Sequence, residues 1–186
     1  MARLPDPTNS LSPEATALYE EMRETRGGRI DGMYRTMLYN PDLTRHVSQL
    51  GTYLRFKSPL PADVRETAIL FAARELEAQY EWIKHEARAL EAGVPEEVVD
   101  QIRKGGRPGG NHPLYRDAVQ AVDCALARRS IPEDLQDRLA NTLGVSGIVE
   151  LVVIAGFYAL IAGVLFAFDV PLPRDGVNRW EAKRDS

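Results

Sequence analysis

A helical pattern of apolar residues runs through the middle of this chain, over residues 69–90. Apolar positions recur there every three or four residues, which is the spacing of one face of an α-helix. No residue between Arg74 and Gln79 is a strong helix breaker. The local pattern by itself therefore predicts one long helix that begins after Pro61 and ends at Gly93. The positions that carry it are Ile69, Ala72, Leu76, Tyr80, Ile83, Ala87 and Leu90.

Helical patterns also account for most of the remaining chain. Capping residues, prolines and glycines bound them, as is usual at helix ends. The predicted helices span residues 12–25, 29–41, 42–56, 96–104, 113–129, 133–143 and 148–168. No stretch alternates apolar and polar residues like a strand, and no hairpin turn joins β-branched runs. We therefore predict an all-α protein with one domain, since 186 residues can bury a sizeable core.

Two parts of the chain resemble each other faintly. Residues 60–66 are similar to residues 131–137, and each segment opens a long helical stretch. Both stretches close on a Val-Pro pair, at Val94-Pro95 and at Val170-Pro171. This repetition predicts two related helical halves.

Residues 151–168 carry no charge, and their length is at the lower limit for a helix that spans a membrane. Glu150 and Asp169 flank them directly, without the lysine or arginine cluster that would anchor a span. Small residues recur every four positions, which would let another helix approach closely. We interpret the segment as a helix of the core or of a subunit interface, with a membrane span as the alternative.

Composition argues against several classes of function. The net charge of −4 leaves no concentrated basic surface for nucleic acid. The glycine-rich loop, residues 105–111, lacks the preceding strand and the Gly-Lys-Ser/Thr ending of a phosphate loop. The single cysteine, Cys124, suits a reducing compartment, and the N-terminus shows no signal-peptide pattern. We expect a cytoplasmic protein that binds neither nucleic acid nor a membrane.

Glu81 and His85 are four residues apart and share one helix face. A carboxylate beside an imidazole fixes the tautomer of the ring, and such a pair can take up a proton and return it. An ordinary surface ion pair has the same spacing, so that alternative stays open.

Glu66 precedes His85 by 19 residues. In one straight helix the two would be about 28 Å apart, so they can meet only if the segment breaks and folds back. The other histidines, His46 and His112, form no ligand pair at metal spacing, and we predict no metal site.

The order of these residues resembles the carboxymuconolactone decarboxylase family. The likeness covers about residues 30–172, is strongest over residues 60–102 and leaves a polar tail at residues 173–186. It is carried by Arg65-Glu66, Tyr80-Glu81-Trp82, His85-Glu86 and Ala92-Gly93-Val94, with Glu150-Leu151-Val152 and Phe157-Tyr158 further along.

The resemblance implies the helical fold of the AhpD alkylhydroperoxidases, a homo-oligomer and chemistry without a cofactor. It also implies two helices with a break between Arg74 and Tyr80, where the local pattern predicts one. The structure decides between these two expectations.

The peroxidase branch of this fold has a glutamate, then Cys-x-x-Cys, then a histidine four residues after the second cysteine. The corresponding positions here are Glu66, Ala78, Glu81 and His85, so both sulfurs are missing. A dithiol cycle needs an attacking thiolate and a resolving partner. We therefore predict no thiol peroxidase activity.

The decarboxylase branch lacks the dithiol and keeps the histidine. The resemblance implies a lyase that transfers protons at a small anionic organic acid or lactone. His85 would be the acid or base, and Glu81 or Glu66 would orient it. Tyr80 and Trp82, which flank Glu81, would line an apolar substrate pocket.

Arg55 and Arg74 are candidates for binding the substrate carboxylate, although most arginines of this kind are solvated or ion-paired. The alternative to an enzyme is a catalytically silent binding or structural oligomer that keeps the fold. An enzyme requires that Glu66 and His85 meet in an enclosed site.

Overall fold

The computed structural model describes residues 4–25, 28, 30, 32–173 and 176–181 of the chain. Over these residues it contains helices and no strand, which confirms the predicted all-α class. After a short 3-10 helix, Pro7–Asn9, the α-helices are α1 Pro13–Thr25, α2 Met33–Met37, α3 Pro41–Phe56, α4 Ala62–Glu75, α5 Gln79–Glu91, α6 Glu96–Arg103, α7 Pro113–Leu126 and α8 Glu133–Ala167.

Helix α4 lies at the centre of the molecule. It packs against α5, α6, α7 and α8, and its side chains from Glu66 to Ala73 are all buried. A helix that is apolar on nearly every side must be enclosed by others. Glu66 is the exception among these side chains, because it is a carboxylate carried into the core.

The chain breaks between α4 and α5, so the one long helix that the local pattern predicts between Pro61 and Gly93 is wrong, and the break implied by the resemblance is present. Glu77 adopts a left-handed conformation with φ 54°. Its carboxylate accepts hydrogen bonds from Arg74 at 2.6 Å and from the Trp180 indole at 2.8 Å. A local ion pair and one contact distant in sequence thus hold a turn that no local breaker marks.

The C-terminal segment 176–181 docks onto this turn. The side chain of Gln79 donates to the carbonyl oxygen of Trp180 and accepts from the backbone of Arg179, both at 2.7 Å. The Trp180 ring packs edge-on against Trp82, with ring centroids 5.3 Å apart. We call these contacts the tail latch. The rest of the predicted polar tail, residues 174–175 and 182–186, lies outside the described residues.

Helix α8 bends at Gly144, whose φ of 72° and ψ of 165° are not helical. The chain is helical again from Val145, so the predicted interruption over residues 144–147 is confined to one residue. By length and mean hydropathy α8 could cross a membrane, but half of its apolar window is buried inside the molecule, as in a core helix. Its outer side exposes Val145, Val149, Val152, Val153, Leu160 and Phe166.

The two repeated segments begin and end alike. Pro61 and Pro132 both precede a helix in an extended conformation, with ψ 136° and 145°. Val94 and Val170 both close a helix by donating to a carbonyl five residues back, at 2.9 Å. The repetition read from the sequence therefore marks equivalent helix boundaries.

Two predicted helices are shorter than expected. The helix expected over residues 29–41 is reduced to α2, and residues 29 and 31 lie outside the described part. Turns follow α2 until the Asn40 side chain caps α3 by accepting from the Leu43 amide. The helix expected over residues 113–129 ends at Leu126, because Arg128 adopts a positive φ of 56°.

Candidate functional site

The fold brings Glu66 and His85 into direct contact. Glu66 lies on α4, His85 lies on α5, and the break between the helices turns them toward each other. The Glu66 Oε2 atom is 2.7 Å from His85 Nδ1. Only 2% of His85 and 5% of Glu66 are exposed, so the surface ion-pair alternative does not describe this histidine. A carboxylate can only accept, which places the neutral ring proton on Nδ1.

The other ring nitrogen of His85 faces Tyr158 on α8. The Tyr158 hydroxyl is 3.0 Å from His85 Nε2, and the two rings meet edge-on with centroids 5.5 Å apart. Because Nδ1 carries the proton, the hydroxyl donates to Nε2. Carboxylate, imidazole and phenol thus form one buried chain, which we call the Glu66–His85–Tyr158 chain.

Sequence reasoning did not select Tyr158 as a site residue, although a signal was present. Tyr158 is the one side chain with a hydrogen-bonding group in the uncharged stretch 151–168. A buried polar group needs a partner, so such a residue within an apolar helix indicates a hydrogen bond across the core.

Glu81 is the second carboxylate beside the imidazole. Its Oε2 atom lies 3.8 Å from His85 Nε2, too far for a hydrogen bond. Burial raises the pKa of Glu81 above its ordinary value, and the neighbouring His85 and the positive charge of Arg55 offset this only in part. Glu81 therefore keeps its proton to higher pH than an exposed glutamate.

The environment of Glu66 shifts its pKa in the opposite direction. Burial raises its pKa, but the hydrogen bond from His85 and the charges of Arg65 and Arg88 outweigh that effect and lower the pKa overall. Glu66 therefore stays ionised. Two carboxylates whose pKa values move apart beside one imidazole are a common arrangement for acid and base roles.

Arginines surround this cluster. Arg88 follows His85 by three residues on α5, where it is half-buried, and sequence reasoning missed it. Burial lowers the pKa of Arg88, and the like charge of Arg55 adds to that effect. The Nε atom of Arg65 is buried without a hydrogen-bond partner, 3.8 Å from Glu66.

Other predicted site residues lie elsewhere. Trp82, predicted to line a substrate pocket, is fully buried and packs against Trp180. Tyr80 borders a cavity of about 420 Å³ between the N-terminal segment and residues 170–173. Arg74 is engaged by Glu77 and by the carbonyl oxygen of Arg103, and its guanidinium stacks over Trp180, which makes it a structural residue.

The described part of the chain has no group of three or more histidine, cysteine, aspartate or glutamate side chains that could hold a metal ion. Cys124, the single cysteine of the sequence, is buried in α7.

The chain matches a known family over part of its length. A model of the carboxymuconolactone decarboxylase family matches residues 41–123, from the first residue of α3 into α7. This segment contains Glu66, Glu81 and His85, whereas Tyr158 lies beyond it. No curated protein matches the chain. Over residues 41–123, the chain is therefore similar to the carboxymuconolactone decarboxylase family.

Proposed function

We propose that this protein is a cofactor-independent lyase that acts by general acid and base chemistry on a small anionic organic acid or lactone. The observation that carries the proposal is the buried Glu66–His85–Tyr158 chain with Glu81 beside it. A structural core gains little from four interacting polar groups, whereas proton transfer needs such groups at hydrogen-bonding distance.

The two carboxylates take different roles. Ionised Glu66 fixes the tautomer of His85 and stabilises the imidazolium that forms when the ring accepts a proton. Glu81, whose pKa is raised, supplies the acid that returns a proton to the product. The base is thus the His85–Glu66 pair, and the acid is Glu81.

The arginines favour an anionic substrate. Arg55, Arg65 and Arg88 act on two buried carboxylates, Glu66 and Glu81. Positive charge therefore exceeds negative charge around the site. A substrate carboxylate between Arg55 and Arg88 would restore the balance, since guanidinium groups bind carboxylates in a planar, two-pronged geometry.

A panel of lactones and β-keto acids tests the proposal. We expect the wild-type protein to convert at least one of them in an assay followed by NMR. His85→Gln should lower the rate at least about 100-fold, as expected for loss of a general base. His112→Gln is the control, because His112 lies in a different part of the fold against Glu97. Equal rates for wild-type protein and His85→Gln would refute the assignment.

One observation favours a second candidate, a silent oligomeric protein. The buried polar cluster is at most 8% exposed at any of its four members, and α8 presents an apolar outer side. If the wild-type protein converts no compound of the panel and forms a stable oligomer, this candidate replaces the enzyme. A dithiol peroxidase is not proposed, since the chain has one cysteine.

A further inference from the structure

Both ring nitrogens of His85 are occupied. Nδ1 bonds to Glu66 at 2.7 Å, and Nε2 bonds to the Tyr158 hydroxyl at 3.0 Å. The ring is 2% exposed, and α4, α5 and α8 enclose it. No nitrogen of His85 is left to touch a substrate. A proton can reach the imidazole only through a group that already lies against it.

Two groups lie against Nε2, and only one is hydrogen-bonded to it. Glu81 is 3.8 Å away, whereas the Tyr158 hydroxyl is within bonding distance. A phenol that donates its hydrogen still has lone pairs with which its oxygen accepts another. Tyr158 can therefore bond to His85 and to a substrate at the same time.

The surroundings of Tyr158 also keep its hydroxyl protonated. Its pKa is raised well above the ordinary value by burial, and the charges of Glu81 and Glu66 add to this, while Arg55 opposes it. The hydroxyl therefore stays protonated and lies within electrostatic reach of Arg55.

We propose that Tyr158 is the catalytic residue that exchanges the proton with the substrate, and that the His85–Glu66 pair supplies the basicity behind it. This role rests on the proposed function. It makes the Tyr158 oxygen, and not a nitrogen of His85, the atom that contacts the substrate. A substrate C–H proton moves to the Tyr158 oxygen while the Tyr158 proton moves to His85 Nε2. The C–H electron pair stays on the substrate, and the imidazolium is paired with the Glu66 carboxylate. Tyr158 remains neutral throughout.

Tyr158→Phe removes the oxygen and keeps the ring. For a compound that the wild-type protein converts, the rate of hydrogen exchange with D₂O is measured by NMR. We expect the exchange rate of Tyr158→Phe to be at least about 100-fold below that of the wild-type protein, at the level of His85→Gln. The double variant should be no slower than either single variant, because residues that act as one unit are not additive.

Tyr115→Phe is the matched control. It also removes a tyrosine hydroxyl that donates to a neighbouring group, here Asp63 at 2.7 Å, but it lies on α7 away from His85. We expect it to keep the wild-type rate. Circular dichroism and thermal unfolding check that each variant is folded.

A second measurement needs no substrate. In protein labelled with ¹⁵N at histidine, we expect His85 to show a protonated Nδ1 and an accepting Nε2. Tyr158→Phe should shift the Nε2 resonance, whereas Tyr115→Phe should leave it unchanged. An Nε2 resonance that does not respond to Tyr158→Phe would overturn the inference.

The outcomes separate the two proposals. If Tyr158→Phe keeps the wild-type rate while His85→Gln loses it, the role of Tyr158 is refuted and the acid–base function stands. If His85→Gln keeps the rate, or the wild-type protein converts no compound, the proposed function fails and the role of Tyr158 fails with it.

Discussion

At the scale of single residues, two glutamates differ because of what lies next to them. Glu66 receives a hydrogen bond from His85 and stays ionised, while Glu81 is buried at 3.8 Å from the same ring and tends to hold its proton. Each shift of pKa also changes how stability depends on pH. This dependence can be measured before any substrate is known.

The first prediction concerns Glu81→Gln. The folded protein holds the Glu81 proton more tightly than the unfolded chain does, so wild-type stability should decrease as pH rises above 4.5, the ordinary value. One such group contributes at most about 1.4 kcal/mol per pH unit. The amide does not titrate, and we expect urea unfolding of Glu81→Gln between about pH 5 and 7 to show a smaller decrease.

The second prediction concerns Glu66→Gln and has the opposite sign. The unfolded chain binds this proton more readily, so wild-type stability should be lost as pH falls below 4.5. We expect Glu66→Gln to show a weaker loss than the wild-type protein in urea unfolding below pH 4.5. A steeper loss of stability at acid pH in the variant than in the wild-type protein would contradict the assigned ionisation of Glu66.

Sequence reasoning selected three residues that the fold brings together, but it did not predict the contacts they make. Glu66, Glu81 and His85 were selected from spacing and from the family resemblance, and the fold gathers them. Tyr158 lies 73 residues beyond His85 and outside the matched segment. Arg88 resembles any surface arginine in a helix. Contacts between distant helices leave no periodic pattern, so neither role could be read locally.

At the scale of helices, two backbone conformations shape the molecule. Glu77 turns the chain between α4 and α5, and Gly144 bends α8. The sequence marks the second with a glycine and leaves the first unmarked. Glu77 shows why local propensity failed over residues 69–90, since Arg74 and Trp180 stabilise a conformation that a glutamate rarely adopts.

The third prediction concerns Gly144→Ala. The φ of 72° with ψ of 165° belongs to a region that essentially only glycine occupies, and a Cβ there would meet nothing within 4 Å. The cost is therefore conformational, about 1–3 kcal/mol in the free energy of unfolding. Urea unfolding measures it.

Gly109→Ala provides the comparison. A Cβ at Gly109 also meets nothing within 4 Å, and its φ is not positive. We expect no loss of stability there. Similar losses of stability at both glycines would show that the cost at Gly144 does not come from its backbone conformation.

At the scale of the whole molecule, the outer side of α8 is more apolar than an ordinary protein surface. Val145 is 70% exposed, Val149 is 57% exposed and Phe166 is 59% exposed, all on one helix. Contiguous apolar surface of this kind usually marks an interaction site. We expect a second copy of the chain to cover it, in line with the homo-oligomer implied by the family resemblance.

Val149→Glu tests this expectation by light scattering coupled to gel filtration. The wild-type protein should have a mass at least twice the 20.7 kDa of one chain, and Val149→Glu should shift toward the single-chain mass with its helicity kept. Asn141→Glu adds the same charge on an exposed part of α8 before the bend and should not change the mass. A monomeric wild-type protein would rule out this role for the surface.

The tail latch has a consequence for the order in which the protein is made. Trp180 bonds to Glu77 across 103 residues of chain. During translation, the turn that sets Glu66 against His85 therefore lacks its contact with Trp180 until all of those residues have been added. At about 5–20 residues per second, the delay lasts roughly 5–20 seconds. A nascent chain halted before Trp180 would carry every polar residue of the candidate site but lack the contact that secures its turn.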